Sequence, residues 1–209
     1  MNILLSTAYF APISYYSNLL SEDYAVIIEK HENYSKQSYR NRCTIYSANG
    51  ALDLVVPVAK ADKPKIPITE VEISYDMPWQ KLHFKAIESA YRRSPFYDYY
   101  IDDLAVFFNC RHRYLYEFNI QILRTVCNMA KIPFHVRESQ EYLKSGEEFI
   151  DMRNSIHPKS SRQSSGIRFE PPYYMQVFSE KWGFKPDLSI LDLLFNTGPE
   201  AKRLLLHNR

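Results

Sequence analysis

The chain has 209 residues, 45% of them hydrophobic and 24% charged, and carries a net charge of +2. That length suits one domain with ample material for a core, and the near-neutral balance excludes the strongly basic surface of a dedicated nucleic-acid binder. No run reaches the eighteen or so consecutive apolar residues of a transmembrane helix, and Asn2 interrupts an amino terminus without a basic flank, so neither a membrane span nor a secretory signal is expected, and the expected location is the cytoplasm.

In chain order, Ile3-Leu4-Leu5-Ser6-Thr7-Ala8 reads as a buried strand, and Pro12 with Ser14 suits a helix start that Tyr15, Tyr16, Leu19 and Leu20 continue at helical spacing. Tyr24-Ala25-Val26-Ile27-Ile28 is a second β-branched run. Strand, short helix and strand open a βαβ unit, for which a parallel pair is expected. Cys43-Thr44-Ile45-Tyr46 and Leu52 to Val58 flank Ser47-Ala48-Asn49-Gly50, and Asn-Gly between strand-like runs predicts a hairpin. Val71-Glu72-Ile73-Ser74-Tyr75 alternates like a further strand.

The middle is helical. Pro78-Trp79 opens a helix towards Arg93, with Asp76 placed to cap it, and Ser94-Pro95 stops it and caps the next. Amphipathic helices are predicted from Phe96 to Phe108 and from Leu115 to Ala130. Residues 138–166 are polar apart from Phe149-Ile150 and read as a long mobile loop. A buried helix from Leu188 to Phe195 ends at Asn196-Thr197-Gly198-Pro199. The expected architecture is a single α/β domain over 1–209. Its βαβ and hairpin elements would form a mixed sheet, and its middle and C-terminal parts would be helical.

Chemistry concentrates in two stretches. From Glu29 to Arg42 the chain supplies one histidine (His31), the carboxylates Glu29 and Glu32, the cations Lys36, Arg40 and Arg42, and Tyr34, Tyr39 and Asn41. It follows the second strand, and open α/β sheets place their ligand crevice at carboxyl ends of strands. His31 is a candidate proton acceptor, because an imidazole titrates near neutrality. The competing reading is a solvated, turn-rich loop. In the second stretch Trp79 and His83 lie four residues apart on one helix face, with Tyr91 and Arg92 following. They suit a stacking wall and a second proton acceptor, or else a core tryptophan with a satisfied histidine.

Other chemistries find little support. Cys43, Cys110 and Cys127 form no CxxC pair, no paired-His spacing asks for a metal, and only 5 glycines leave no phosphate-cradling loop. No cofactor is therefore expected. Aromatics interleaved with basic residues in Tyr34–Arg42 could stack on single-stranded nucleic acid, but the net charge ranks that reading last.

Several of these segments together resemble the WbqC-like family of bacteria: Ser6 to Tyr16, Glu32 to Arg42, Ala48-Asn49-Gly50 with Val56-Pro57-Val58, Pro78 to His83, Ala90 to Phe96, and Leu188 to Glu200. The family more often opens with a Gln-Pro-x-Tyr-like turn, where this chain has Ser6-Thr7-Ala8-Tyr9. The resemblance implies a place in surface-polysaccharide (O-antigen type) synthesis. It also implies acyl or aminoacyl (glycine-like) transfer to an amino sugar or nucleotide-sugar. Carried over residue by residue, the motif positions are Tyr34, Lys36, Ser38, Arg40, Asn41 and Arg42, then Trp79, His83, Tyr91 and Arg92, then Asp192 and Asn196.

On that reading His83 is favoured over His31 as the base, and Arg40, Arg42 and Arg92 meet an anionic donor, small or carrier-bound. Tyr34, Tyr39 and Trp79 stack on a ring. Asp192, inside an apolar helix, requires a partner, for which an arginine is the expected choice. The alternative is a non-catalytic module that binds a nucleotide-sugar or carrier-linked intermediate. An aromatic content of 15% adds the expectation of an interface, and hence of a homo-oligomer.

Overall fold

The first apolar run becomes the middle of a sheet. In the computed structural model, which describes residues 2–21, 24–60, 64–146, 148–159 and 169–206, β1 is Asn2–Leu5 and β2 is Ala25–Ile28. They pair in parallel with Ile3 opposite Val26 and Leu5 opposite Ile28, as the βαβ pattern predicts. β1 shows no alternation because Ile3, Leu4 and Leu5 are all fully buried, as in a strand covered on both faces. The linking helix α1 spans Ile13–Leu19.

The hairpin strands are β3, Arg42–Ser47, and β4, Gly50–Val55, with Ala48-Asn49 at the turn and Gly50 at φ +97, a conformation natural to glycine. They form their own two-stranded antiparallel sheet beside the parallel one. Val71–Tyr75 makes only isolated bridges, Val58 with Ile73 and Glu72 with Tyr114. Three helices follow: α2, Trp79–Tyr91; α3, Tyr97–Asn109; and α4, Leu115–Met129. Their positions match the periodicity, but their caps do not. Asp76 accepts from Ser74 Oγ at 2.8 Å instead of capping α2, and α3 starts after Phe96 with no side-chain cap.

The polar stretch after α4 hides two strands. β5, Val136–Glu138, joins the outer side of β2, and β6, Phe149–Asp151, joins β1. The completed parallel sheet has the order β5-β2-β1-β6. Thus part of the expected 138–166 loop is sheet, while 147 and 160–166 lie outside the described residues. Further on come α5, Ser179–Trp182; α6, Ile190–Thr197; and α7, Ala201–Leu206. Ser189 begins α6, accepting from the Leu191 amide and donating to the Phe10 carbonyl at 2.8 Å. Its own amide donates to the Thr44 carbonyl at 2.8 Å, so this one residue ties α6 to both the hairpin and the segment after β1. Ile190, Leu191, Leu193, Leu194 and Phe195 are all fully buried, which makes α6 a core helix. Among the described residues no helix is long and apolar enough to cross a membrane.

Candidate functional site

The strand order reverses at β1: the chain leaves it for β2 and β5 on one side and returns to β6 on the other. In a parallel sheet such a reversal opens a crevice outside the carboxyl ends of the two strands. Here it is walled by Ser6, Thr7 and Ala8 after β1, by Met152 and Arg153 after β6, and by Tyr39 and Arg40 from the loop between β2 and β3. The Tyr9 amide donates to the Tyr39 carbonyl at 2.9 Å, which pins that loop over the end of β1.

Charged side chains fill the floor. Arg40, only 3% exposed, forks onto Glu32 through Nε at 2.8 Å and Nη2 at 2.5 Å, and Nη2 also donates to Ser6 Oγ at 2.6 Å. Tyr15 Oη donates to the Ser6 carbonyl at 2.9 Å. On the β6 side Arg153 forks onto Asp151 through Nε at 2.9 Å and Nη2 at 2.6 Å, and Nη1 donates to the Leu143 carbonyl at 2.9 Å. Behind both, the fully buried Glu29 accepts from Ser139 Oγ and from the His31 and Leu143 amides, each at 2.7 Å, and lies 3.7 Å from Arg153 Nη1. Each guanidinium is therefore backed by a carboxylate, as desolvated charges require.

Burial alone would raise the Asp151 carboxyl, but hydrogen bonds from Arg153 and Ser145 outweigh it and hold it below the usual carboxylate range. Burial would likewise lower the Arg153 guanidinium, and its bonds to Asp151 raise it instead. Among the described residues that line the crevice, one buried polar atom is left over. Thr7 Oγ1 is buried without a hydrogen-bond partner, although Thr7 lines the crevice. The crevice offers about 10 Å³ to the centre of a water-sized group, room for about one small polar group.

Two larger hollows border other parts of the loop between β2 and β3. One, of about 700 Å³, is bordered by Tyr34, Lys36, Lys60 and Glu70; the other, of about 580 Å³, by Lys30, His31, Tyr116, Arg124 and Glu138. The stretch from His31 to Arg40 thus contributes to all three spaces. Its neighbours are structural. Asn41 Nδ2 donates to the Val56 carbonyl at 2.8 Å, and Arg42 pairs with Asp53 across the hairpin at 3.2 Å.

The second predicted stretch packs inward. His83 is 6% exposed, with Nδ1 2.9 Å from Tyr9 Oη and its ring edge-on to Trp79 at 5.1 Å. Burial lowers its imidazole to about 4 against a backbone hydrogen bond at Val55 that raises it. Trp79 is buried against Tyr75 and Phe118. None of His83, Trp79 and Tyr91 borders the three spaces, and Arg92 is exposed at the end of α2.

Asp192 is indeed partnered, but not by an arginine. Its Oδ2 accepts from Tyr174 Oη at 2.6 Å and Gln176 Nε2 at 2.9 Å. Burial pushes this carboxyl up to about 6 against those bonds. Asn196 Nδ2 donates to the Asp192 carbonyl at 2.8 Å. These residues clasp the segment around Tyr174 to α6, well apart in the chain from the crevice network.

Ser6, Thr7, Asp151 and Arg153 are the site residues that sequence reasoning passes over. Ser6 and Thr7 are hidden because they read as part of the first strand, whereas Phe149-Ile150 in a polar stretch marks the short run that Asp151 ends and Arg153 closely follows. Cysteine chemistry has no foothold in the crevice, since Cys43, Cys110 and Cys127 do not line it and burial pushes the Cys127 thiol up to about 12.

No solved structure matches the chain. It is 25% identical over 221 residues to the uncharacterized protein Rv1507c of Mycobacterium tuberculosis, covering 96% of this chain and 95% of that protein. Residues 7–166 match the WbqC-like protein family, a span that begins at Thr7 and takes in Glu29, Glu32, Arg40, Asp151 and Arg153. With that match over most of its length, the chain belongs to the WbqC-like protein family.

Proposed function

We propose that this protein is an acyl- or aminoacyl-transferase that modifies an amino sugar or nucleotide-sugar in bacterial surface-polysaccharide synthesis. The observation that carries the reading is that one loop, His31 to Arg40, contributes to a buried polar crevice and to two spaces of about 700 and 580 Å³. Two substrates and one point of reaction need such a division. Tyr34 and Lys36 border the larger space and suit a ring and an anionic group of one substrate. His31, exposed beside Lys30 and Glu138, replaces the enclosed His83 as the favoured proton acceptor. The reading places the chain in the cytoplasm, and the exposed Tyr99, Tyr173 and Trp182 make a homo-oligomer part of it.

The test is direct. The purified chain is incubated with acyl- and aminoacyl-thioesters and with glucosamine-type or nucleotide-linked amino sugars, and the acceptor's mass is followed. Transfer that drops at least tenfold in His31→Ala and persists in His83→Gln supports the reading. Absence of transfer across the panel, in a protein whose melting temperature still rises with one of the ligands, favours the second reading. That second reading is a non-catalytic module for a nucleotide-sugar or carrier-linked intermediate, and the core position of His83 speaks for it.

A further inference from the structure

We infer that the crevice at the end of β1 is a subsite for the carbonyl oxygen of an acyl group, with Thr7 Oγ1 and Arg40 as its hydrogen-bond donors. Thr7 is 1% exposed and lines the crevice, and its buried hydroxyl has no partner among the described residues. A hydroxyl sealed in that state is unfavourable unless something arrives to meet it. Arg40 lines the same crevice; Nε and Nη2 are committed to Glu32 and Ser6, and Nη1 carries no hydrogen bond among the described residues.

The class of ligand atom follows from charge and size. Arg40 is matched by Glu32 and Arg153 by Asp151, with Glu29 behind, so the wall offers N–H and O–H donors without net positive charge. A phosphate dianion finds no compensation there, whereas a neutral oxygen acceptor does. About 10 Å³ open to the centre of a water-sized group holds one such oxygen. The inference rests on the transferase reading for its role. When an acceptor amine attacks an acyl thioester or ester, a C–N bond forms and the carbonyl electrons move onto oxygen. As the C–S or C–O bond then breaks, those electrons return, and the amine proton, taken up by His31 on the transferase reading, passes to the leaving group or solvent. Donors already aimed at that oxygen stabilise the charge it carries in between.

The test uses N-acetylglucosamine labelled with carbon-13 at the acetyl carbonyl, with glucosamine and glucose as controls. Binding to the full chain is followed by the methyl resonances of Met152 and Ile156, which line the crevice. The carbonyl stretch is followed by infrared difference spectroscopy. Expected are perturbed methyl resonances and a lowered carbonyl frequency, the latter largely restored towards the free value in Thr7→Val, a shape-conserving variant whose fold should be unharmed. Arg40→Lys keeps the charge and loses the fork, and should weaken binding at least tenfold. The inference is overturned if the probe does not bind, if only water occupies the crevice so that no resonance moves, or if Thr7→Val binds with an unchanged carbonyl frequency. The two readings separate cleanly: transfer with an unaffected Thr7→Val variant sinks the subsite alone, and a bound, shifted carbonyl without transfer sinks the transferase reading alone.

Discussion

His83 and Asp192 are both buried titratable groups, and they act on stability in opposite senses over the same pH range. His83 is neutral in the fold, with its imidazole lowered to about 4 from an ordinary 6.5. The unfolded chain therefore binds the extra proton between those values, and stability falls as pH drops through this window. Asp192 and Asp187 are both raised to about 6 from 3.8. For them the folded state holds the extra proton, and stability present below pH 3.8 is lost as pH rises towards 6. Each effect is on the order of 3 kcal/mol, so the two aspartates outweigh the one histidine and the native protein loses stability as pH rises from 4 to 6. Urea midpoints at pH 4, 5 and 6 should fall with pH in the wild type and stay nearly level in Asp192→Asn. In His83→Gln they should fall more steeply than in the wild type. Parallel profiles for all three proteins would refute the assignment.

Among the elements, α6 shows how local chemistry sets a boundary. It starts at Ser189, whose hydroxyl caps it, and stops at Gly198, where φ is +53 and an added Cβ would sit 2.4 Å from the Phe96 ring. Gly198→Ala combines a disfavoured backbone with overpacking and should cost about 2–4 kcal/mol, read as a lowered urea midpoint. The loop from Glu29 to Asn41 makes the opposite case. It has no regular structure between its strands, and its order comes from buried charge. Glu32→Gln leaves Arg40 without its carboxylate in a site 3% exposed, and a loss of about 3–5 kcal/mol is expected. The double variant Glu32→Gln with Arg40→Met should recover most of that loss, because no charge is then left unmatched. A double-mutant cycle from urea unfolding measures the coupling, and additive losses would show that the pair is independent.

For the molecule as a whole, much of the fold is legible along the chain. β1, α1, β2, the hairpin and the three middle helices follow from apolar runs, turn residues and helical spacing, because those signals lie within a few residues of one another. The short strand Phe149–Asp151 is hidden, since three residues in a polar stretch carry too little pattern, and only pairing with β1 supplies the missing hydrogen bonds. The candidate site divides the same way. The density of functional side chains from Glu29 to Arg42 is a sequence property. Which of them meet a crevice is not: His83 and Trp79 share a helix face with one another and turn it to the core, while His31, Tyr34 and Arg40 face three different spaces.

By itself, then, the sequence determined the α/β class, the family, and the stretch in which chemistry concentrates. Tertiary structure alone decided that β6 returns to the far side of β1, and so opened the crevice and brought Arg153 to within reach of Glu29, over a hundred positions away in the chain. The physical reason is that a carboxylate or a guanidinium can be buried only against its counter-charge. That match is made between distant segments in space, where no periodicity along the chain can record it.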